Sequence, residues 1–202
     1  MTKLMYIIAS PRGERSHSVA LANAFIKQYT QTHPDTEVLV RNLFEMDLPD
    51  FDGETINGKY NIIHSRPFTP VEKEKWSKVE AVIEDFKSAD LYVFAVPMWN
   101  FNIPYRLKQF IDVITQPGYT VAVTDQGYKG MVNGKAVIAY ARGGEYGPEG
   151  GYNFQQPYMT FWLGFIGITD VHTLAAQGML GPNRDAAKAA AEIEAVELAK
   201  TM

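Results

Sequence analysis

The sequence of 202 residues predicts an α/β protein in which one parallel sheet is covered by helices on both faces. Two observations predict this class. Five short apolar segments have the length and near-continuous hydrophobicity of buried parallel strands, and apolar residues recur at helical spacing between them. Strands that alternate with helices are joined by right-handed crossovers. We expect one domain over residues 1–202, because no linker or repeat divides the chain.

The predicted strands each hold a run of apolar residues bounded by polar, Gly or Pro residues. They span residues 4–9, 37–42, 91–96, 135–141 and 168–175. Two longer stretches, 42–70 and 116–134, are rich in Gly, Pro or Asp, and we expect them to be irregular loops.

Four predicted helices are identified by an apolar face, and a fifth is predicted over residues 154–166 as mostly buried. One of the four has a strong start signal, with Thr69 as the N-cap, Pro70 at the first helical position and Glu72 three residues after the cap. The four faces are Ala22, Phe25, Ile26 and Tyr29; Trp76, Val79, Ile83 and Phe86; Leu107, Phe110, Ile111 and Ile114; and Ala189, Ile193 and Val196.

Composition excludes several functions. The chain has no cysteine, so disulfides, thiolate catalysis and cysteine-bound metals are excluded. A formal net charge of -4 argues against a nucleic-acid or anionic-membrane partner, and we expect a cytoplasmic protein. No metal site is expected, because the four histidines have no metal-ligand spacing: His17, His33, His64 and His172.

Parallel α/β sheets bind ligands beyond the carboxyl ends of their strands, and three loops at such ends stand out. The first follows the first strand and carries hydroxyls at Ser10, Ser16 and Ser18, with His17 between the last two. Free N–H groups at a helix N-terminus bind anions, and hydroxyls add neutral donors. The pattern predicts a site for a terminal phosphate, or simple capping of the helix by Ser16 or Ser18.

The second loop follows the third strand and presents Met98, Trp99, Asn100 and Phe101. Apolar and aromatic residues at a strand end need a cover. A planar ring such as an isoalloxazine would provide one, and Asn100 could hydrogen-bond its polar edge. Packing beneath a neighbouring loop or subunit is the alternative.

The third loop follows the fourth strand and contains Ala141, Arg142, Gly143 and Gly144. Paired glycines allow the backbone to approach a ligand closely and to present N–H donors to it. A flexible glycine-rich turn is the alternative.

The sequence resembles the FMN-dependent NADH-azoreductases, also described as NADH:quinone oxidoreductases, over nearly its whole length. The resemblance is carried by PMWNFNI at 97–103, ARGG at 141–144, FWLGFIGITDV at 161–171 and the spacing of Ser10 from Ser16-His17-Ser18. Within that family, Gln is frequent at the position of His17, Tyr at that of Trp99 and Ser at that of Ala141.

The resemblance implies a flavodoxin-like fold with strand order 2-1-3-4-5 and a homodimer with non-covalent FMN at its interface. By position, Ser10, Ser16, His17 and Ser18 would hold the phosphate. One flavin edge would meet Met98, Trp99, Asn100 and Phe101, and the other Ala141, Arg142, Gly143 and Gly144.

The implied reaction transfers two electrons from NADH or NADPH to quinones or azo compounds by a ping-pong mechanism, with no catalytic side chain required. Tyr119, Tyr128 and Tyr146 are candidates for the pocket wall or the partner contact. Two alternatives remain open: a flavodoxin-type electron carrier and an NADPH-dependent FMN reductase that releases reduced flavin.

Overall fold

The computed structural model describes residues 1–147 and 151–202. Its strands, in chain order, are β1 (Lys3–Ile8), β2 (Glu37–Asn42), β3 (Leu91–Pro97), β4 (Val121–Thr124), β5 (Gly127–Gly130), β6 (Lys135–Ala141) and β7 (Asp170–Ala176). Its α-helices are α1 (His17–Thr32), α2 (Gly53–Ile63), α3 (Pro70–Lys87), α4 (Tyr105–Ile114), α5 (Gln155–Ile166) and α6 (Arg184–Thr201).

Five strands form a parallel sheet in the order β2-β1-β3-β6-β7. This confirms the predicted order, since β6 and β7 are the fourth and fifth strands expected from the sequence. Strand β3 lies between β1 and β6, and its last residue, Pro97, pairs with Ala141 at the end of β6. The loops that follow β1, β3 and β6 therefore leave the same edge of the sheet side by side.

Alternate residues of β3 point into two separate cores, as the period of a strand requires. Tyr92 and Phe94 belong to the core beneath α3, α4 and α5, whereas Val93 and Ala95 belong to the core beneath α1 and α6. Both faces of the central strands are buried, which explains why these segments read as continuous apolar runs.

Helix α3 begins where the sequence predicts, directly after the N-cap Thr69. The Thr69 hydroxyl accepts a hydrogen bond from the Glu72 N–H at 3.3 Å, and the Glu72 carboxylate accepts one from the Thr69 N–H at 2.8 Å. This reciprocal capping box satisfies two N–H groups that the first helical turn leaves without intrahelical partners.

The prediction that residues 42–70 are irregular was wrong in part, because α2 lies within them. Asp52 caps this helix by accepting from the Thr55 N–H. Only Thr55 and Gly58 are buried within α2, so the helix lacks the apolar face by which periodicity identifies a helix. The segment before it is fixed by Arg106 of α4, which donates to the carbonyls of Leu43 and Met46.

Residues 116–134 are also more regular than predicted. Strands β4 and β5 form an antiparallel hairpin outside the main sheet. The backbone at the end of β5 packs directly against the backbone that follows α5. No side chain fits between them, because a Cβ added at Gly130 would lie 2.2 Å from the Gly167 nitrogen. The Val132 N–H donates to the Ile166 carbonyl at 2.9 Å beside this contact.

The predicted inner face of α6 was wrong. Its buried residues are Ala191, Ala195 and Ala199, whereas Ile193 is 65% exposed. A stripe of alanines at i, i+4 and i+8 lets α6 pack closely on its neighbours in the core, so the larger side chains are left on the outside. Across the described ranges, no helix is long and apolar enough to cross a membrane.

Candidate functional site

A cleft of about 280 Å³ lies at the carboxyl edge of the sheet. The three loops predicted from the sequence line it, together with the connection from β7 to α6. Its walls are formed by Ser10, Arg12, Ser16 and His17; Pro97, Met98 and Trp99; Ala141, Arg142 and Gly143; and Met179, Leu180 and Arg184. Eight of the twelve predicted site residues are among them. The other four, Ser18, Asn100, Phe101 and Gly144, lie in the same loops but outside this lining.

The first loop offers hydroxyls and a helix N-terminus. Ser16 occupies the N-cap of α1, yet its side chain makes no capping hydrogen bond, so capping does not account for this hydroxyl. Its Oγ lies 3.1 Å from the Oγ of fully buried Ser18. Ser10 is 2% exposed, and its Oγ has no hydrogen-bond partner among the described residues. A buried hydroxyl without a partner is costly unless a ligand or water satisfies it.

The second loop is a tight turn with a constrained backbone. Trp99 and Asn102 exchange backbone hydrogen bonds of 2.9 and 3.0 Å across the turn. The two residues between them, Asn100 and Phe101, have φ of 46° and 71°. Asn tolerates this left-handed region, whereas an aromatic residue rarely adopts it. The Phe101 carbonyl accepts from the Phe154 N–H at 3.0 Å, which ties the turn to the start of α5. Such strain is concentrated at functional sites.

Trp99 separates this cleft from a second one of about 630 Å³, which is also lined by Asn100, Tyr105 and Tyr158. The indole packs against Tyr105, with ring centroids 6.2 Å apart. Phe101 remains 45% exposed and its ring lies 5.3 Å from that of Tyr152. The second loop therefore supplies aromatic surface on both sides of the turn.

Arg142 is the charged centre of the third loop. It is 2% exposed, and its guanidinium donates to three amide oxygens. The partners are Gln155 at 3.1 Å, Gln156 at 3.1 Å and Gln177 at 3.3 Å. Burial lowers the pKa of Arg142, but an arginine remains protonated in proteins. These neutral partners accept from three of its N–H groups without neutralising its charge, which gives the cleft a positive potential.

The glycines of the third loop allow another segment to approach. The Gly143 and Gly144 carbonyls accept from the N–H groups of Leu180 and Gly178 at 3.1 and 3.0 Å. A Cβ at Gly143 would lie 2.8 Å from a Leu180 methyl carbon. Within the described ranges, no residue accepts a hydrogen bond from the N–H groups of Gly143 and Gly144. The glycines thus seat the β7–α6 connection against the cleft and leave the Gly143 N–H as a donor at its wall.

Sequence reasoning missed Met179, Leu180 and Arg184, because nothing in their local sequence marks them and only the topology brings them to the cleft. The predicted tyrosines do not line this cleft. The Tyr119 hydroxyl instead bonds to Trp76 and Glu80 of α3, and Tyr128 lies on the β5 hairpin against Phe165.

Comparison with known proteins agrees with the geometry. A family model described as "Flavodoxin-like fold" matches residues 2–198. The chain is 46% identical over 206 residues to an FMN-dependent NADH:quinone oxidoreductase of Nitratidesulfovibrio vulgaris, covering 100% of this chain and 98% of that protein. A Bacillus anthracis azoreductase has a similar structure, with a TM-score of 0.91, 29% identity and full coverage of both chains.

A second solved structure, an FMN-dependent NADH-azoreductase from Bacillus anthracis in complex with FMN, has a TM-score of 0.90 and 25% identity. It covers 100% of this chain and 99% of its own. The fold, the strand order of the sheet and the sequence similarity over the full length all support the same family assignment. The chain belongs to the flavodoxin-like family of FMN-dependent NADH:quinone oxidoreductases and azoreductases.

Proposed function

We propose that this chain is an FMN-dependent oxidoreductase that transfers two electrons from NADH or NADPH to quinones and azo compounds. The observation that carries the proposal is the convergence of the three loops on one cleft at the carboxyl edge of the sheet. Flavodoxin-like sheets bind FMN at the switch in strand order, and the cleft occupies this position between β1 and β3.

The residues present fit a phosphate ester at one end of the cleft. The Ser10 hydroxyl is buried and without a partner among the described residues. The N-terminus of α1 has no side-chain cap, so its first N–H groups are available to an anion. Ser16, Ser18 and His17 would complete the donor set, and Arg12 adds positive charge.

The other end of the cleft fits a flat conjugated ring. Met98 and Trp99 offer an apolar wall, while Gly143 offers an N–H donor. FMN supplies the redox chemistry when it is bound, taking a hydride from a reduced nicotinamide and giving two electrons to the acceptor. The positive charge of Arg142 would favour an electron-rich ring nearby, as oriented donors and charges do at other reaction centres.

A ping-pong order is supported by the space beside the ring wall. The larger cleft adjoins the first one at Trp99 and is also lined by Asn100 and Tyr105. It offers a single open space beside the ring wall, which nicotinamide and acceptor would occupy in turn. Initial rates measured while the concentrations of NADH and of a quinone are both varied distinguish a ping-pong order from a sequential one. Parallel double-reciprocal lines support the proposal, and intersecting lines would contradict the ping-pong order.

We also propose a homodimer, supported by aromatic surface that one chain leaves uncovered. Phe161 is 71% exposed and its ring lies 6.2 Å from that of Phe165, which also contacts Tyr128. Apolar patches of this kind mark interaction surfaces. We expect Phe161→Glu to shift the sedimentation coefficient from dimer to monomer. Ile193→Glu is the matched control, because it charges a similarly exposed apolar residue (65%) on α6, across the sheet.

Two alternatives predict different behaviour. An electron carrier would not turn over with a quinone unless a partner reductase is added. An FMN reductase would release FMN during turnover, so the flavin would pass through a membrane that retains the protein. Under the proposed function the flavin stays with the protein while NADH is consumed.

A further inference from the structure

One end of the cleft is lined by basic side chains from three separate elements. Arg12 comes from the loop after β1, His17 from the first turn of α1, and Arg184 from the first residue of α6. With Arg142, four basic residues and no carboxylate line the cleft as far as the described residues show. This concentration of positive potential stands out in a chain whose formal net charge is -4.

His17 is the one member of this group whose charge changes near neutral pH. Its pKa is lowered below the ordinary value first by burial, and then by Arg12 from the loop and by Lys188 and Arg184 from α6. Asp185, also on α6, raises it. These surroundings therefore favour the neutral imidazole. A bound dianion would offset the repulsion from these cations and favour the imidazolium.

A second, independent observation points to a ligand at the same place. The Ser10 hydroxyl, 2% exposed, lines this cleft and has no hydrogen-bond partner among the described residues. A phosphate oxygen would accept from it, and the uncapped N-terminus of α1 would bind the same group.

We propose that Arg12, His17 and Arg184 form a pH-dependent phosphate clamp in which His17 takes up a proton when a dianionic phosphate ester binds. The proposal rests on the proposed function, since the ester is that of FMN. The clamp makes the discrimination of FMN from riboflavin, which lacks the phosphate, increase as the pH falls. Arg184 and Arg12 attract the phosphate at every pH in this range, because an arginine does not titrate.

The test compares the dissociation constants of FMN and riboflavin, measured by quenching of flavin fluorescence with FMN-stripped protein from about pH 8.5 to about pH 5.5. His17→Gln keeps a hydrogen-bonding group but cannot become charged. The preference for FMN is the dissociation constant of riboflavin divided by that of FMN. The phosphate of FMN itself titrates, with a second pKa near 6. Because His17→Gln has no titrating imidazole, the pH dependence of its preference for FMN measures the contribution of the phosphate alone. We expect this preference in wild type, divided by the same preference in His17→Gln, to rise about three- to tenfold as the pH falls over this range, since a shift of one pKa unit corresponds to a tenfold change in affinity.

Arg184→Gln should lower the preference for FMN about two- to fivefold at all of these pH values, as expected for an exposed charge. Arg15→Gln is the matched control. Arg15 lies in the same loop region as Arg12 and is exposed as Arg12 is, but it does not line the cleft, so its loss should leave the preference unchanged.

A direct readout does not depend on any variant folding correctly. The pKa of His17, followed by NMR of the imidazole in wild-type protein, should rise by about one unit when FMN binds and stay unchanged with riboflavin. Equal His17 titrations with the two flavins, or matching pH profiles for wild type and His17→Gln, would overturn the clamp while leaving the proposed function standing. Failure to bind FMN at all would overturn both.

Discussion

The contact between Gly130 and Gly167 allows a sharp prediction about the β4–β5 hairpin. In Gly130→Ala, the new Cβ would lie 2.2 Å from the Gly167 nitrogen and 2.3 Å from the Ile166 carbonyl carbon. Because these are backbone atoms, no change of side-chain rotamer can relieve the clash. The hairpin and the end of α5 would have to separate by roughly 0.8 Å to restore even a 3.0 Å contact.

The energetic cost follows from that displacement. It would stretch the 2.9 Å hydrogen bond from the Val132 N–H to the Ile166 carbonyl beyond bonding range, and Val132 is buried. Overpacking costs about 1–3 kcal/mol, and a buried donor without a partner about 1–3 kcal/mol more. We therefore expect Gly130→Ala to lower the free energy of unfolding by about 2–6 kcal/mol.

Urea unfolding of the FMN-free protein, followed by tryptophan fluorescence, measures this loss. Gly164→Ala is the matched control, because Gly164 lies in the last turn of α5 and a Cβ there meets nothing within 4 Å. Replacing a helical glycine with alanine should stabilise by about 0.5–1 kcal/mol. If Gly130→Ala unfolds at the same urea concentration as wild type, the close backbone contact is not present in solution.

Three further predictions concern the site and the surface. Arg142→Met should lower the free energy of unfolding by about 1–3 kcal/mol, because the buried Gln155 amide oxygen and the part-buried Gln156 amide oxygen lose their donor, whereas that of Gln177 still accepts from the Tyr146 N–H; a change below about 0.5 kcal/mol in urea unfolding would contradict this. Phe101→Gly should raise the stability of the FMN-free protein by up to about 1 kcal/mol, since Asn-Gly suits a turn with two positive φ values, yet weaken FMN binding in fluorescence titration. Lys75 hydrogen-bonds Asp52 and lowers the pKa of that carboxyl to about 2. This contribution to stability is present above about pH 4 and is lost as the pH falls towards 2, so the unfolding midpoints of wild type and Lys75→Met should converge over that interval, whereas a constant difference would refute the linkage.

The sequence predicted the sheet because the physics of its strands is local. Segments such as 91–96 are buried on both faces and therefore read as continuous apolar runs. The start of α3 was predictable for the same reason, since Thr69, Pro70 and Glu72 act within one helical turn. Convergence of the three loops followed from parallel topology, which places the ends of β1, β3 and β6 at one edge.

The features that were missed depend on contacts between distant segments. Helix α2 has almost no buried side chains of its own, and the loop before it is fixed by Arg106, about 60 positions further along the chain. The buried face of α6 is made of alanines, which carry little hydrophobic signal beside Ile193. Arg184 reaches the cleft because α6 packs beside α1, an arrangement that no local pattern encodes.

The visible spectrum of the purified protein, followed by anaerobic addition of NADH and then of a quinone, tests the central claim most directly. The account predicts oxidised-flavin bands that bleach in a single two-electron step with NADH and return when the quinone is added. A protein that stays colourless after incubation with FMN, or whose bound flavin is not reduced by either NADH or NADPH, would contradict it.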